Sequence, residues 1–254
     1  MEKEYRNMEW TALVLIVGAF SAVMVGFSKT GIPSLGILAV TLFALIFPAK
    51  YSVGILLPML IVGDIVAVAY YRKAAVWKYL VILIPSVVIG VISGYFVLDW
   101  VDDRQLSVMI GAIVLVLIAV HLIRDRLGER INEFLSQSRV FTDFLGWLAG
   151  FTTMVGNAAG GVMSIYFLSK GLPKKEFVGT GAWYFLLVNL FKVPFNVQLG
   201  LITAESLLFN AYTVPFILLG AWIGIRTLPR IPQKHFQMLV LFFSAVGGVW
   251  LLLP

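Results

Sequence analysis

Met154-Val155-Gly156-Asn157-Ala158-Ala159-Gly160-Gly161 lies in the middle of the apolar run Phe144 to Leu168 and decides how this chain is built. Crossing about 30 Å of hydrocarbon takes roughly 20 helical residues. The run is too short for two such crossings, and its glycine-rich, polar centre does not suit one regular helix. It predicts a re-entrant hairpin or two half-helices. Backbone outside a helix survives at membrane depth only when buried in protein or lining a wet cavity. The stretch Gly26-Phe27-Ser28-Lys29-Thr30-Gly31-Ile32-Pro33-Ser34, at the end of the first apolar run, has the same character. The two breaks therefore mark a cavity.

The rest of the chain agrees with a bilayer as solvent. Of 254 residues, 60% are hydrophobic and 13% charged, and the mean hydropathy is +0.96; a soluble domain of this size cannot bury that much apolar surface. Apolar runs cover Thr11 to Phe27, Leu35 to Phe47, Val53 to Tyr71, Tyr79 to Leu98 and Leu106 to Ile123. A second series covers Phe144 to Val155, Gly161 to Leu168, Phe177 to Val197, Ser206 to Ile225 and Phe236 to Leu253. The fold class expected is an all-α integral membrane protein with broken or re-entrant helices in each half. The first run is read as retained rather than cleaved, because Glu2, Glu4 and Glu9 mix with Lys3 and Arg6 and no small-residue cleavage site follows. There is no cysteine, hence no thiol chemistry. His121 and His235 stand apart with no clustered ligands, so neither a metal nor another cofactor is expected. A net charge of +6 reflects basic loops between spans rather than nucleic-acid binding.

The chain aligns with itself, as many secondary transporters do. Gly26 and Gly31 match Gly156 and Gly161; Pro48, Lys50, Val53 and Gly54 match Pro173, Lys175, Val178 and Gly179. Asp64 then falls on Asn189, and Pro85, Gly90 and Gly94 on Pro215, Gly220 and Gly224. The division expected is a first repeat over 1–123, a cytoplasmic linker over 124–139 and a second repeat over 140–254. Loop charges decide the orientation of the halves. With an odd number of crossings per half, Arg72, Lys73, Lys78, Arg124, Arg126, Arg130, Arg139, Lys170, Lys174, Lys175, Arg226, Arg230 and Lys234 share one face. An even number splits them nearly equally, against the positive-inside bias. Inverted repeats follow, with both termini outside the cytoplasm of an inner-membrane protein. The Gly90-x-x-x-Gly94 and Gly220-x-x-x-Gly224 pairs serve close helix contact.

Two cations lie deep in apolar sequence, Lys29 and Lys192. A charge at the centre of a membrane helix costs roughly 2.5 to 3.5 kcal/mol on insertion scales and is kept where it meets a partner, water or substrate. Half-helices restarting after each break would present free amides and a positive dipole end, a ready anion site. Ser28, Lys29, Thr30 and Ser34 at one break, with Thr153 and Asn157 at the other, are the candidate substrate ligands. Asn189, Lys192 and Asn196 form one polar stripe at i, i+3 and i+7 and join them. The alternatives are a loop position for Lys29 and snorkelling to the interface for Lys192. Asp64, the only carboxylate deep in an apolar run, is either a proton carrier or the ion-pair partner of one of these lysines. The substrate expected is a small anion. A homodimer is compatible with the sequence.

Two stretches give a specific resemblance: Gly150-Phe151-Thr152-Thr153-Met154-Val155-Gly156-Asn157-Ala158-Ala159-Gly160-Gly161, and Gly179-Thr180-Gly181-Ala182-Trp183 leading to Asn189-Leu190-Phe191-Lys192-Val193-Pro194. On these, the chain resembles the sulfite exporter TauE/SafE family over nearly its whole length. The resemblance implies a secondary carrier, an exporter rather than an enzyme, for sulfite or an organosulfonate by alternating access. Ser28-Lys29-Thr30-Gly31 departs from the family's denser glycine runs. An uncoupled anion channel and a carboxylate carrier are the alternatives, with an intramembrane enzyme or a receptor-like module behind them.

Overall fold

The computed structural model describes residues 11–47, 49–98, 100, 102, parts of 104–119 and 138–252. The expected linker up to residue 137, the basic residues Lys3, Arg6, Arg124, Arg126 and Arg130, and His121 lie outside them. Among the described residues the chain forms α-helices and short 3-10 turns. The first half has α1 (Ala12–Thr30), α2 (Gly36–Ile46), α3 (Ala49–Tyr71) and α4 (Trp77–Leu98). The second has α5 (Arg139–Gly156), α6 (Ala159–Ser169), α7 (Lys174–Gln198), α8 (Ala204–Thr227) and α9 (Gln233–Leu252). Four segments among the described residues are long and apolar enough to cross a membrane: Ala12–Thr30, Tyr51–Ala74, Trp77–Leu98 and Ala204–Arg230. Their outer faces carry exposed Phe20, Val81, Ile89, Phe96, Leu208 and Trp222, an apolar surface suited to lipid.

The break in each half is a hairpin. Helices α2 and α6 have 11 residues each, about 16 Å of helix, and cannot cross alone. The ring of Phe209 reaches Gly18, about three turns before the end of α1, and also contacts Phe43 and Phe47 at the far end of α2. Helix α2 therefore folds back along α1. In the second half Lys170, just past α6, lies 3.5 Å from the hydroxyl of Thr142 in the first turn of α5, so α6 folds back in the same way. Helix α5 is longer than the apolar run suggests, because the Ser138 hydroxyl accepts from the Phe141 amide and caps a start at Arg139.

The same helix contact occurs twice. Helix α8 lies parallel to α1, with Gly220 against the Val23 carbonyl and Gly26 against that of Ile217. Helix α4 lies parallel to α5, with Gly90 against the Trp147 carbonyl and Gly150 against that of Val87. A Cβ at any of these four positions would enter the van der Waals radius of the facing oxygen, so the small-residue pairs act in close packing as expected. Gly26 and Gly150 occupy like positions in these two contacts, as do Gly220 and Gly90.

Helices α3 and α7 cross the centre antiparallel. Gly179, near the start of α7, packs on Tyr71 and Ala74 at the end of α3, and Gly54, near the start of α3, packs on Leu201 just past α7. Asp64 and Asn189 meet between these two contacts.

Candidate functional site

The site forms where the two hairpin tips face the middle of α3 and α7. At the first tip, α1 ends at Thr30, and Pro33 opens a 3-10 turn that leads into α2. At the second tip Asn157 adopts the left-handed conformation, φ 53°, and ends α5; asparagine is one of the few residues besides glycine to do so readily. That turn aims the Asn157 side chain inward. Its Nδ2 donates to the Val53 carbonyl at 3.0 Å, and its Oδ1 accepts from Lys192 Nζ at 2.6 Å. Lys192 Nζ also donates to Thr153 Oγ1 at 3.2 Å. Fully buried at 0% exposure, Lys192 bridges α7 to the second tip and does not snorkel.

Lys29 crosses the cavity from the first tip. Its Nζ lies 2.8 Å from Asp64 Oδ1 and 4.2 Å from the centroid of the Phe185 ring. Asp64 Oδ2 accepts from Asn189 Nδ2 at 2.7 Å. One carboxylate thus holds the first-break lysine and the central asparagine of α7. Two ammonium-bearing chains face one carboxylate, and the Lys192 nitrogen bonds only neutral oxygens among the described residues.

The cavity is lined by Ser28, Lys29, Pro33, Gly36, Leu60, Thr153, Asn157, Gly160, Val178, Gly181, Ala182, Phe185 and Asn189. Gly36 and Gly160 belong to the first turns of α2 and α6, so the starts of both short helices border the space. A Cβ on Gly160 would stand 3.4 Å from the Pro33 carbonyl oxygen, an ordinary contact between the two tips, and one on Gly36 3.3 Å from Ser28 Oγ within the first tip. The open volume is about 30 Å³, room for roughly two waters. Anything larger requires the tips to move apart.

Of the expected ligands, Ser28, Lys29, Thr153, Asn157 and Asn189 line this space, and Lys192 adjoins it through Thr153 and Asn157. Three do not line it. Thr30 Oγ1 donates to the carbonyls of Gly26 and Ala221, locking the end of α1 to α8. Asn196 is buried one turn beyond Lys192 and donates to its carbonyl at 3.0 Å. Ser34 is buried within the 3-10 turn. Phe185 and Gly181 escaped the reading by residue chemistry. Their spacing could have found them, since 181, 185, 189, 192 and 196 follow one helical stripe.

Hairpins packed tip to tip around a buried, cation-bearing cavity, inside a surface fit for lipid, define a multi-pass membrane protein with a polar site at its centre. The chain matches the model of the sulfite exporter TauE/SafE family over residues 7–251 and belongs to that family. It is accordingly a membrane transporter and not an enzyme. No curated protein and no solved structure matches it.

Proposed function

We propose that this protein carries a sulfur-containing oxyanion, sulfite or a small organosulfonate, by alternating access, with Lys29, Lys192, Asn157, Thr153, Ser28, Asn189 and the first turns of α2 and α6 forming the binding site. The observation that carries the reading is the excess of buried lysines over carboxylates, among the described residues, at a cavity bordered by two helix starts. Thr30, Ser34 and Asn196 then support the site from behind.

Asp64 is the proposed proton carrier. While ionised, it holds Lys29. Protonation releases that lysine to the anion, so proton and anion occupy the site together. A dianion moving with one proton still carries net negative charge outward, which a potential negative inside favours by about 2.3 kcal/mol per 100 mV. That sign supports export, in keeping with the family description.

Alternating access rests on two inverted repeats, 1–123 and 140–254 joined by a cytoplasmic linker, 124–139. Support comes from the antiparallel crossing of α3 and α7, in which repeat mates Asp64 and Asn189 meet, as a two-fold axis between those helices requires. The twofold recurrence of the α1/α8 and α4/α5 contacts agrees. The chain contains no cysteine, so single cysteines at 3, 128 and 254 report orientation directly. Positions 3 and 254 should label from outside the cytoplasm and 128 from inside; termini on opposite faces would overturn the inversion.

Counterflow in proteoliposomes with labelled sulfite, taurine, sulfoacetate, sulfate and small carboxylates tests the substrate class. Sulfite or a sulfonate should exchange. Exchange of carboxylates alone would transfer the site to a carboxylate carrier, and flux without counterflow would make the protein a channel.

A further inference from the structure

Each polar side chain at the central cavity has a fixed stock of donors and acceptors, and most of it is already committed. Asn157 uses both ends of its amide, donating to the Val53 carbonyl and accepting from Lys192. Thr153 Oγ1 accepts from the same ammonium, and Lys29 pairs with Asp64. Asn189 differs. Its Nδ2 donates to Asp64 Oδ2 at 2.7 Å, while its Oδ1 is buried and accepts from nothing among the described residues. The residue is 1% exposed and borders the cavity.

The amide cannot turn round to engage that oxygen. An ionised carboxylate only accepts, so the NH2 group must face Asp64 and the oxygen is the end left over. Ser28 adds a second acceptor to the lining. Its hydroxyl gives its one proton to the Val25 carbonyl at 2.8 Å, so toward the cavity it offers lone pairs alone. The space therefore combines lysine ammoniums with oxygen acceptors that have no proton to give. A bare oxyanion satisfies only the lysines, and it would leave the Asn189 oxygen unpaired in a site closed to water. An ammonium on the ligand would satisfy that oxygen but would meet the two lysines. A hydroxyl satisfies it without charge.

We propose that Asn189 Oδ1, with Ser28 Oγ, selects an anion whose organic part carries a hydroxyl group. The acid group sits with the lysines, and the hydroxyl donates to Asn189 once the hairpin tips part. The inference rests on the reading of this cavity as the anion site and specifies a part of the substrate other than its acid group. A hydroxysulfonate and a hydroxycarboxylate share that chemistry.

The test measures equilibrium binding to purified, monodisperse full-length protein with two matched pairs, isethionate against ethanesulfonate and lactate against propionate, and with sulfite alongside. In the parent, the hydroxyl-bearing member of a pair that binds should be held about tenfold or more tightly, because its partner leaves a buried acceptor unpaired. Asn189→Leu should bring that ratio close to one. Ser28→Ala, a milder change because the hydroxyl bonds within its own helix, should narrow it. Lys192→Met should weaken both members of a pair alike and leave the ratio as it was. The ratio is the readout because structural damage lowers both affinities together. A hydroxyl preference in the carboxylate pair alone keeps this inference and overturns the sulfur-anion assignment. Equal binding within every pair that binds, sulfite binding with neither pair, or a ratio unchanged in both Asn189→Leu and Ser28→Ala would overturn the inference while the anion site stands. Failure of all five anions to bind would overturn both.

Discussion

The ion pair between Lys29 and Asp64 offers the sharpest test of the central site. Lys29 Nζ and Asp64 Oδ1 lie 2.8 Å apart, with side-chain exposures of 9% and 0%. Removing one partner of such a pair leaves an uncompensated buried charge, a loss of about 3 to 5 kcal/mol, whereas removing both is often near neutral. Asp64→Asn keeps the shape and still offers an oxygen to Asn189, so its effect isolates the orphaned ammonium of Lys29. Lys29→Met keeps the apolar stem that packs on Gly63 and lies by Phe185, and orphans the carboxylate instead. Each single variant should lose about 3 to 5 kcal/mol in reversible unfolding of purified protein in mixed micelles. The double variant should recover to within about 2 kcal/mol of the parent, a coupling of several kcal/mol. An Asp64→Asn protein as stable as the parent, or a double variant as unstable as the summed singles, would refute a tight buried pair.

Lys192→Met should weaken anion binding about 10 to 150-fold, the worth of one charge-assisted contact, on monodisperse protein measured by equilibrium binding. Lys192→Arg keeps the charge, so it should lose less affinity than Lys192→Met in the same assay. Asp64→Asn should abolish transport driven by a pH gradient while substrate exchange persists; uptake that still follows the gradient removes Asp64 from coupling. Gly220→Ala should cost about 1 to 3 kcal/mol or more by forcing α8 away from the Val23 carbonyl, seen as a lower unfolding temperature, and Gly90→Ala should cost a similar amount against Trp147.

Much of this protein is legible one residue at a time. A bilayer imposes local demands: about 20 apolar residues per crossing, and glycine or polar sequence only where backbone is sheltered. The spans, the breaks at Gly26–Ser34 and Met154–Gly161, and the two intramembrane lysines were therefore readable from spacing and composition, as was the polar face of α7, because helical periodicity fixes which residues share a stripe. Partner choice is not local. That Lys29 pairs with Asp64, while Lys192 turns to Asn157 and Thr153, depends on α3 and α7 crossing antiparallel between the hairpin tips, a contact between residues 125 positions apart for Asp64 and Asn189. Thr30 illustrates the same limit. Its hydroxyl faces away from the cavity toward the Ala221 carbonyl because α8 packs on that side of α1, something no reading of Gly26 to Ser34 alone could disclose. The likeness of the contacts at Gly26 and Gly150 also emerged only in three dimensions, since many glycines satisfy a sequence alignment but only specific ones stand against a facing carbonyl. Local chemistry determined what this chain must be made of, whereas packing between distant helices decided which charges meet.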